Sequence, residues 1–153
     1  MNFNDAEKIF YWERFYYLLY LLPKIPQEFL SFKARDDLPC VHKILSHIVE
    51  CDDWWFYNTY LGKPLDPKKY DFSNKKADEI ITIMEEVRQD ELTHLKKLGD
   101  IDYHKIIMPN GDEPGEISLA GLIYHIAEHE SYHMGQIFML ADLAGVNLEQ
   151  VKE

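Results

Sequence analysis

Apolar residues recur at intervals of three and four over four separate stretches of the chain, the period of a helix that buries one face. The first stretch starts at Asn4 or Asp5, either of which can cap a helix, and runs to about Leu22. Its stripe is wide: Ile9, Phe10, Trp12, Phe15, Tyr16, Leu18, Leu19 and Leu22. Pro23 and Pro26 end it, and a helical turn is expected around Gln27–Ser31. The second stretch runs from Pro39 to about Tyr60, behind a cap at Asp36 or Asp37 and before Gly62. Val41, Ile44, Leu45, Ile48, Cys51 and Trp55 form its stripe. The third opens at Ser73 or Asn74 and reaches Leu98, with Gly99 as its stop. Ile80, Ile83, Met84, Val87, Leu95 and Leu98 are its apolar face, and Glu85, Glu86, Asp90 and Glu91 read as a solvated one. The fourth, Leu119 to Ala144, is capped by Ser118 and closed by Gly145.

The connections read differently. Gly62 to Pro67 is a loop, and Asp102 to Gly115 holds YHKIIMP followed by NGDEPG, a short strand and turn or an irregular segment. The residues after Gly145 make a short tail. No internal repeat or low-complexity tract interrupts the pattern. Four long helices with such connections predict an all-α four-helix bundle, with a short irregular or β-like segment before the last helix and a single domain over 1–153.

Composition narrows the function. A chain of 153 residues that is 46% hydrophobic has the material for a real core. The formal net charge of −11 argues against phosphate-backbone binding and against an anchor on an anionic membrane, so neither a nucleic acid nor a membrane is expected as partner. The N-terminal stretch carries Asp5, Glu7, Glu13 and Arg14, which fits neither a signal peptide nor a span. Cys40 and Cys51 share one predicted helix, about 16 Å apart at 1.5 Å per residue, too far for a disulfide. The expected location is the cytoplasm.

The fourth helix carries the chemistry. His125, His129 and His133 follow one another at four-residue spacing, so they lie near one face. The apolar stripe runs through Leu122 and Ile126 and resumes at Ile137 and Leu140, with His129 and His133 filling the turns between. An unpaired polar group on a buried face costs roughly 1–3 kcal/mol, and a shared divalent metal is one way to satisfy two imidazoles. Packed core histidines are the plainer alternative. A third ligand has to come from another helix. His47, next to Ile44 and Cys51 on the second helix, is best placed. Three imidazoles and an open position make a catalytic type of site. His42, five residues from His47, points elsewhere, and His94 and His104 read as structural or exposed. His129 to His133 also matches H-E-x-x-H, the motif of zinc peptidases. That reading fails for want of a downstream ligand, since no histidine follows His133, and Glu130 becomes a group behind the ligands or a surface acid.

The segment HIAEHESYHMGQI resembles the C-terminal signature of the DinB/YfiT-like superfamily, roughly H-x-x-x-H-x-x-x-H-R-G-Q, and LSHIVECDDWW is similar to its second-helix motif. Met134 stands where the family usually has Arg. The resemblance implies an up-down-down-up bundle, often a homodimer, with a divalent metal on His47, His129 and His133. It also implies a metal-dependent hydrolase or a thiol S-transferase that uses a bacillithiol- or mycothiol-type thiol, acting on a small-molecule substrate. A metal- or stress-ligand-binding bundle without turnover is the alternative. Zinc or nickel is the expected ion, with iron and manganese also accepted by imidazole. His125, Glu130, Tyr132 and Trp54 are candidates to support the ligands or line a pocket, as are Tyr124 and Trp55. Proton competition for the imidazoles is expected below a pH of about 6.5.

Overall fold

The computed structural model describes residues 1–12, 19–20, 22–64, 70–107 and 116–147. Phe15, Tyr16 and Leu18 of the expected first stripe lie outside the described residues, as do the end of the first loop, the turn at 110–115 and the tail from 148. The architecture is an all-α bundle with a short two-stranded antiparallel sheet before the last helix. No described helix is long and apolar enough to cross a membrane.

Helix α1, Phe3–Glu7, starts earlier than Asn4 or Asp5 predicts. Asn2 caps it: its side chain accepts from the Asp5 N–H and the Asp5 carboxylate accepts from the Asn2 N–H, both at 3.0 Å. A π-helical turn, Lys8–Trp12, follows. The wider turn shifts the phase of the stripe. Ile9 and Phe10 are buried, whereas Trp12, expected on the apolar face, is 57% exposed.

Helix α2, Val41–Asp53, begins after Cys40 instead of at Pro39, and a π-helical turn, Trp54–Tyr60, prolongs it to the predicted end. Gly62 follows with φ of +66°, a conformation that suits glycine at a helix exit. Helix α3, Ala77–Leu95, is shorter than predicted at both ends. Asp71 holds Ser73 in a turn, accepting from its N–H at 3.1 Å and its hydroxyl at 2.6 Å, so Ser73 does not cap. The Glu79 carboxylate instead accepts from the Lys76 N–H at 2.9 Å. Past Leu95 the chain turns into a 3-10 segment, Asp100–His104, where buried Tyr103 donates to the Leu95 carbonyl at 3.0 Å. Strand β1, Ile106–Ile107, falls within the segment expected as a short strand or an irregular loop and pairs with β2, Ile117–Ser118. Helix α4, Leu119–Leu143, agrees with its predicted bounds to one residue. Ser118 Oγ accepts from the Gly121 N–H at 3.0 Å, the cap expected there.

The core divides into two apolar clusters. One joins Ile44, Leu45 and Ile48 of α2 to Ile80, Met84 and Val87 of α3 and to Ile137, Leu140 and Ala141 of α4. The other joins Ala6, Ile9, Phe10 and Phe56 to Leu92 and Leu95 and to Leu119, Leu122, Ile123, Ile126 and Ala127 of α4. Between them in sequence, each long helix contributes buried polar residues: Asp52 and Asp53 from α2, Arg88 and Glu91 from α3, Glu130 and His133 from α4. That polar level locates the candidate site.

Candidate metal centre

Helix periodicity places His47 and Cys51 one turn apart on α2, and His129 and His133 one turn apart on α4. The packing of α2 against α4 brings the two pairs together. The His47 ring centroid lies 5.1 Å from that of His129 and 4.8 Å from that of His133, and the two α4 rings are 4.4 Å apart. Nε2 of His129 and Nε2 of His133 are 3.0 Å apart. Two nitrogens on one tetrahedral zinc sit about 3.3 Å apart, so little movement would seat an ion between them.

Gln136 sets the chemistry of His133. Its Oε1 lies 2.7 Å from His133 Nδ1 and can accept that proton, which leaves the Nε2 lone pair turned towards His129. Gln136 Nε2 donates in turn to the Tyr132 hydroxyl at 3.1 Å. Burial, reinforced by His133, His47 and His125, pushes His129 down to about 4. His133 is lowered as well, first by burial and partly offset by the Gln136 bond. Both α4 rings are therefore neutral at pH 7, the form that ligates metal. His133 is buried, His129 half-buried and His47 exposed, so the centre opens to solvent on its α2 side.

A second set of donors overlaps the first. Among the described residues, His47, Cys51 and His129 have ligand atoms all within 4.8 Å of one another, a group that could hold a metal ion. Cys51 Sγ lies 3.5 Å from His47 Nδ1 and 3.7 Å from its Nε2. Burial, with Asp52 and Glu50 adding to it, pushes the Cys51 thiol up to about 12, so without a metal it is protonated. Both cysteines are free. The sequence pattern placed Cys51 on the stripe as an apolar residue. The signal for more was its place one turn from His47, as four residues separate the α4 pair.

Behind the donors lies an ionic cluster. Arg88 is buried, with Nη2 donating to Asp52 Oδ2 at 3.0 Å and to Glu130 Oε1, and with Nε 3.4 Å from Glu91 Oε2. Its guanidinium carbon lies 3.7 Å from the centre of the Phe10 ring. Two expectations change here. Glu91 is fully buried and belongs to this cluster, not to a solvated face. Glu130 is no surface acid: it is 2% exposed and tied to Arg88. It therefore backs the ligand helix and is not poised as the base of an H-E-x-x-H site. Asp53 accepts from the Tyr70 hydroxyl at the same level.

The other candidates lie on the same two helical runs as the donors. The His125 ring, exposed, meets Trp55 edge-on at 4.6 Å, and Trp55 meets half-buried Trp54 at 4.8 Å. Tyr132 is exposed with its ring 5.0 Å from that of His133, and Tyr124 is exposed further along α4. His42 lies elsewhere, its Nε2 3.0 Å from the Lys75 carbonyl. His94 sits against its own helix, Nδ1 2.9 Å from the Asp90 carbonyl, and His104 is exposed.

The family model described as DinB family matches residues 10–153, which take in every donor named above. No curated protein matches the chain.

Proposed function

The chain belongs to the DinB family, and on that premise we propose that it is a metal-dependent enzyme whose divalent ion is held by His47, His129 and His133. The supporting observation is the meeting of three imidazole rings, one pair of centroids 4.4 Å apart, at a level open to solvent on one side. An ion so held supplies Lewis acidity, which lowers the pKa of a thiol or water at its open position. The chain's own residues prepare that position. Burial keeps His129 and His133 unprotonated, and Gln136 fixes which nitrogen of His133 is available. The rings of Trp54, Trp55, His125 and Tyr132, on the helical runs that carry the donors, supply ring faces and polar edges for a small-molecule substrate. We assign the reaction to hydrolysis or to transfer from a low-molecular-weight thiol of the bacillithiol kind. The net charge of −11 suits a small substrate in the cytoplasm better than a nucleic acid or a membrane surface.

A binder without turnover is the second reading. It is favoured by Glu130, the acid of the H-E-x-x-H run, whose commitment to Arg88 leaves it unavailable as a base. Metal analysis tests the site itself. His47→Ala, His129→Ala and His133→Ala should each lose most of the bound zinc or nickel, while His42→Ala, His94→Ala and His104→Ala keep it. Retention of full metal by His47→Ala would place the site on α4 alone. Metal-loaded protein that turns over no thiol–electrophile pair, ester or amide would favour the binder.

We further propose a homodimer. Trp12, Tyr132, Met139 and Leu143 are each more than half exposed, apolar side chains that a second copy could cover. Light scattering at micromolar concentration should give twice the chain mass of 18.2 kDa; the monomer mass would end the proposal.

A further inference from the structure

The metal-centre reading accounts for three imidazoles but leaves Cys51 without a task. The two helices supply donors in the same way: His129 and His133 from adjacent turns of α4, His47 and Cys51 from adjacent turns of α2. Nitrogen and sulfur sharing one tetrahedral zinc ion lie about 3.6 Å apart. Cys51 Sγ meets that separation at both ring nitrogens of His47, 3.5 and 3.7 Å, and His129 has a donor within 4.8 Å of both residues. The thiol is free and half-buried.

We propose that Cys51 Sγ is a fourth protein donor at the metal centre, making it a three-nitrogen, one-sulfur set in the resting protein. The inference rests on the three-histidine reading above. When the sulfur–metal bond forms, the Sγ–H bond breaks and its proton leaves to water. No electron is transferred and no further reactant is needed. Two consequences follow from the chemistry of the donors. A soft thiolate favours zinc over manganese. It also fills the position that an external thiol or water needs, so a substrate thiol has to displace the chain's own. Cys51 is then a specificity-determining ligand: it holds the centre closed against weak ligands and yields it to a stronger thiolate.

Cobalt(II), which reports bound sulfur by near-ultraviolet charge-transfer absorption, tests this on metal-free full-length protein under reducing, oxygen-free conditions. Wild type and Cys40→Ser should take up cobalt with that absorption. Cys51→Ala should bind cobalt without it and at least about tenfold more weakly, since one charged donor is gone. Added 2-mercaptoethanol should then restore the absorption in Cys51→Ala at concentrations that leave wild type unchanged. Circular dichroism of Cys51→Ala checks that the helices persist, and Cys51→Ser serves in its place if they do not. If wild type binds cobalt with no sulfur absorption and the Cys51 variant binds equally well, the fourth donor is refuted while the histidine centre stands. Loss of the absorption in Cys40→Ser instead would assign the sulfur to Cys40 and refute the proposal. Failure of wild type to bind cobalt at all would remove both readings.

Discussion

Arg88 is the residue whose role depends most on its surroundings. One guanidinium faces Asp52, Glu91 and Glu130, all buried. Three ionised carboxylates around one cation would leave excess negative charge in a poorly solvated place, so protons are retained. Burial first, then Glu130, holds Asp52 well above the usual carboxylate range. Burial first, with Glu130, Asp53 and Asp90 adding and Arg88 opposing, pushes Glu91 up to about 8. A folded-state pKa raised from 4.5 to about 8 means that the folded protein keeps a proton the unfolded chain releases. The contribution is fully present below 4.5 and is lost as pH rises through about 8. Glu91→Gln, which mimics the protonated acid, should flatten the fall of Tm across that window; an unchanged slope would show that Glu91 does not titrate there. Arg88→Leu should cost about 3–5 kcal/mol in urea unfolding, the usual result of stranding buried charge. A loss under about 1 kcal/mol would mean that the carboxylates are relieved another way. The sequence held a trace of this: the α3 stripe breaks between Val87 and Leu95, and Glu91 stands in the gap. Its neighbours Glu85, Glu86 and Asp90 are exposed, and as a run they disguised the one acid that turns inward.

At the scale of the elements, α4 was legible nearly to the residue. Its cap, its stripe and its stop are local signals that agree with one another, and Ser118 and Gly145 bracket it with no competing cap nearby. Gly145 has φ of +71°, the left-handed exit that glycine adopts at little cost. Ser118→Ala should therefore destabilise by about 1 kcal/mol, read as a lower Tm in thermal unfolding. No change would mean that the β1–β2 pairing alone fixes the start of α4. The starts of the other helices were less legible, because several capping residues compete within a few positions. Asn2 with Asp5 prevails over Asn4, and Asp71 diverts Ser73 into a turn. The π-helical turns Lys8–Trp12 and Trp54–Tyr60 have no signature in the hydrophobic period; the first explains why Trp12 sits off the buried face assigned to it, while half-buried Trp55 keeps its expected place against the second apolar cluster.

For the molecule as a whole, the metal should add stability without being required for folding, since two apolar clusters remain when it is absent. Chelation should lower Tm while leaving far-ultraviolet circular dichroism unchanged, and collapse of the helical signal would overturn this. Acid should act late. With His129 pushed down to about 4, protons compete for it well below the ordinary imidazole range, and His133 is lowered in the same direction. Metal occupancy should hold at pH values of about 6 and be lost towards about 4, a lower window than unperturbed imidazoles suggest. In the metal-free protein the unfolded chain takes up that proton from about 6.5 downward and the folded chain only near 4, so stability falls as pH drops between them. By itself, the sequence determined the four helical stretches and the His129–His133 pair, and it left the segment before the last helix open between a short strand and an irregular loop. The stretches and the pair are read from spacings of three and four, which the helix turns into shared faces without help from the rest of the chain. Tertiary structure decided that His47 meets that pair, that Cys51 comes with it, and that Glu91 and Glu130 close on Arg88. Those residues lie on helices far apart in sequence, and only the packing of apolar faces sets the distances between them.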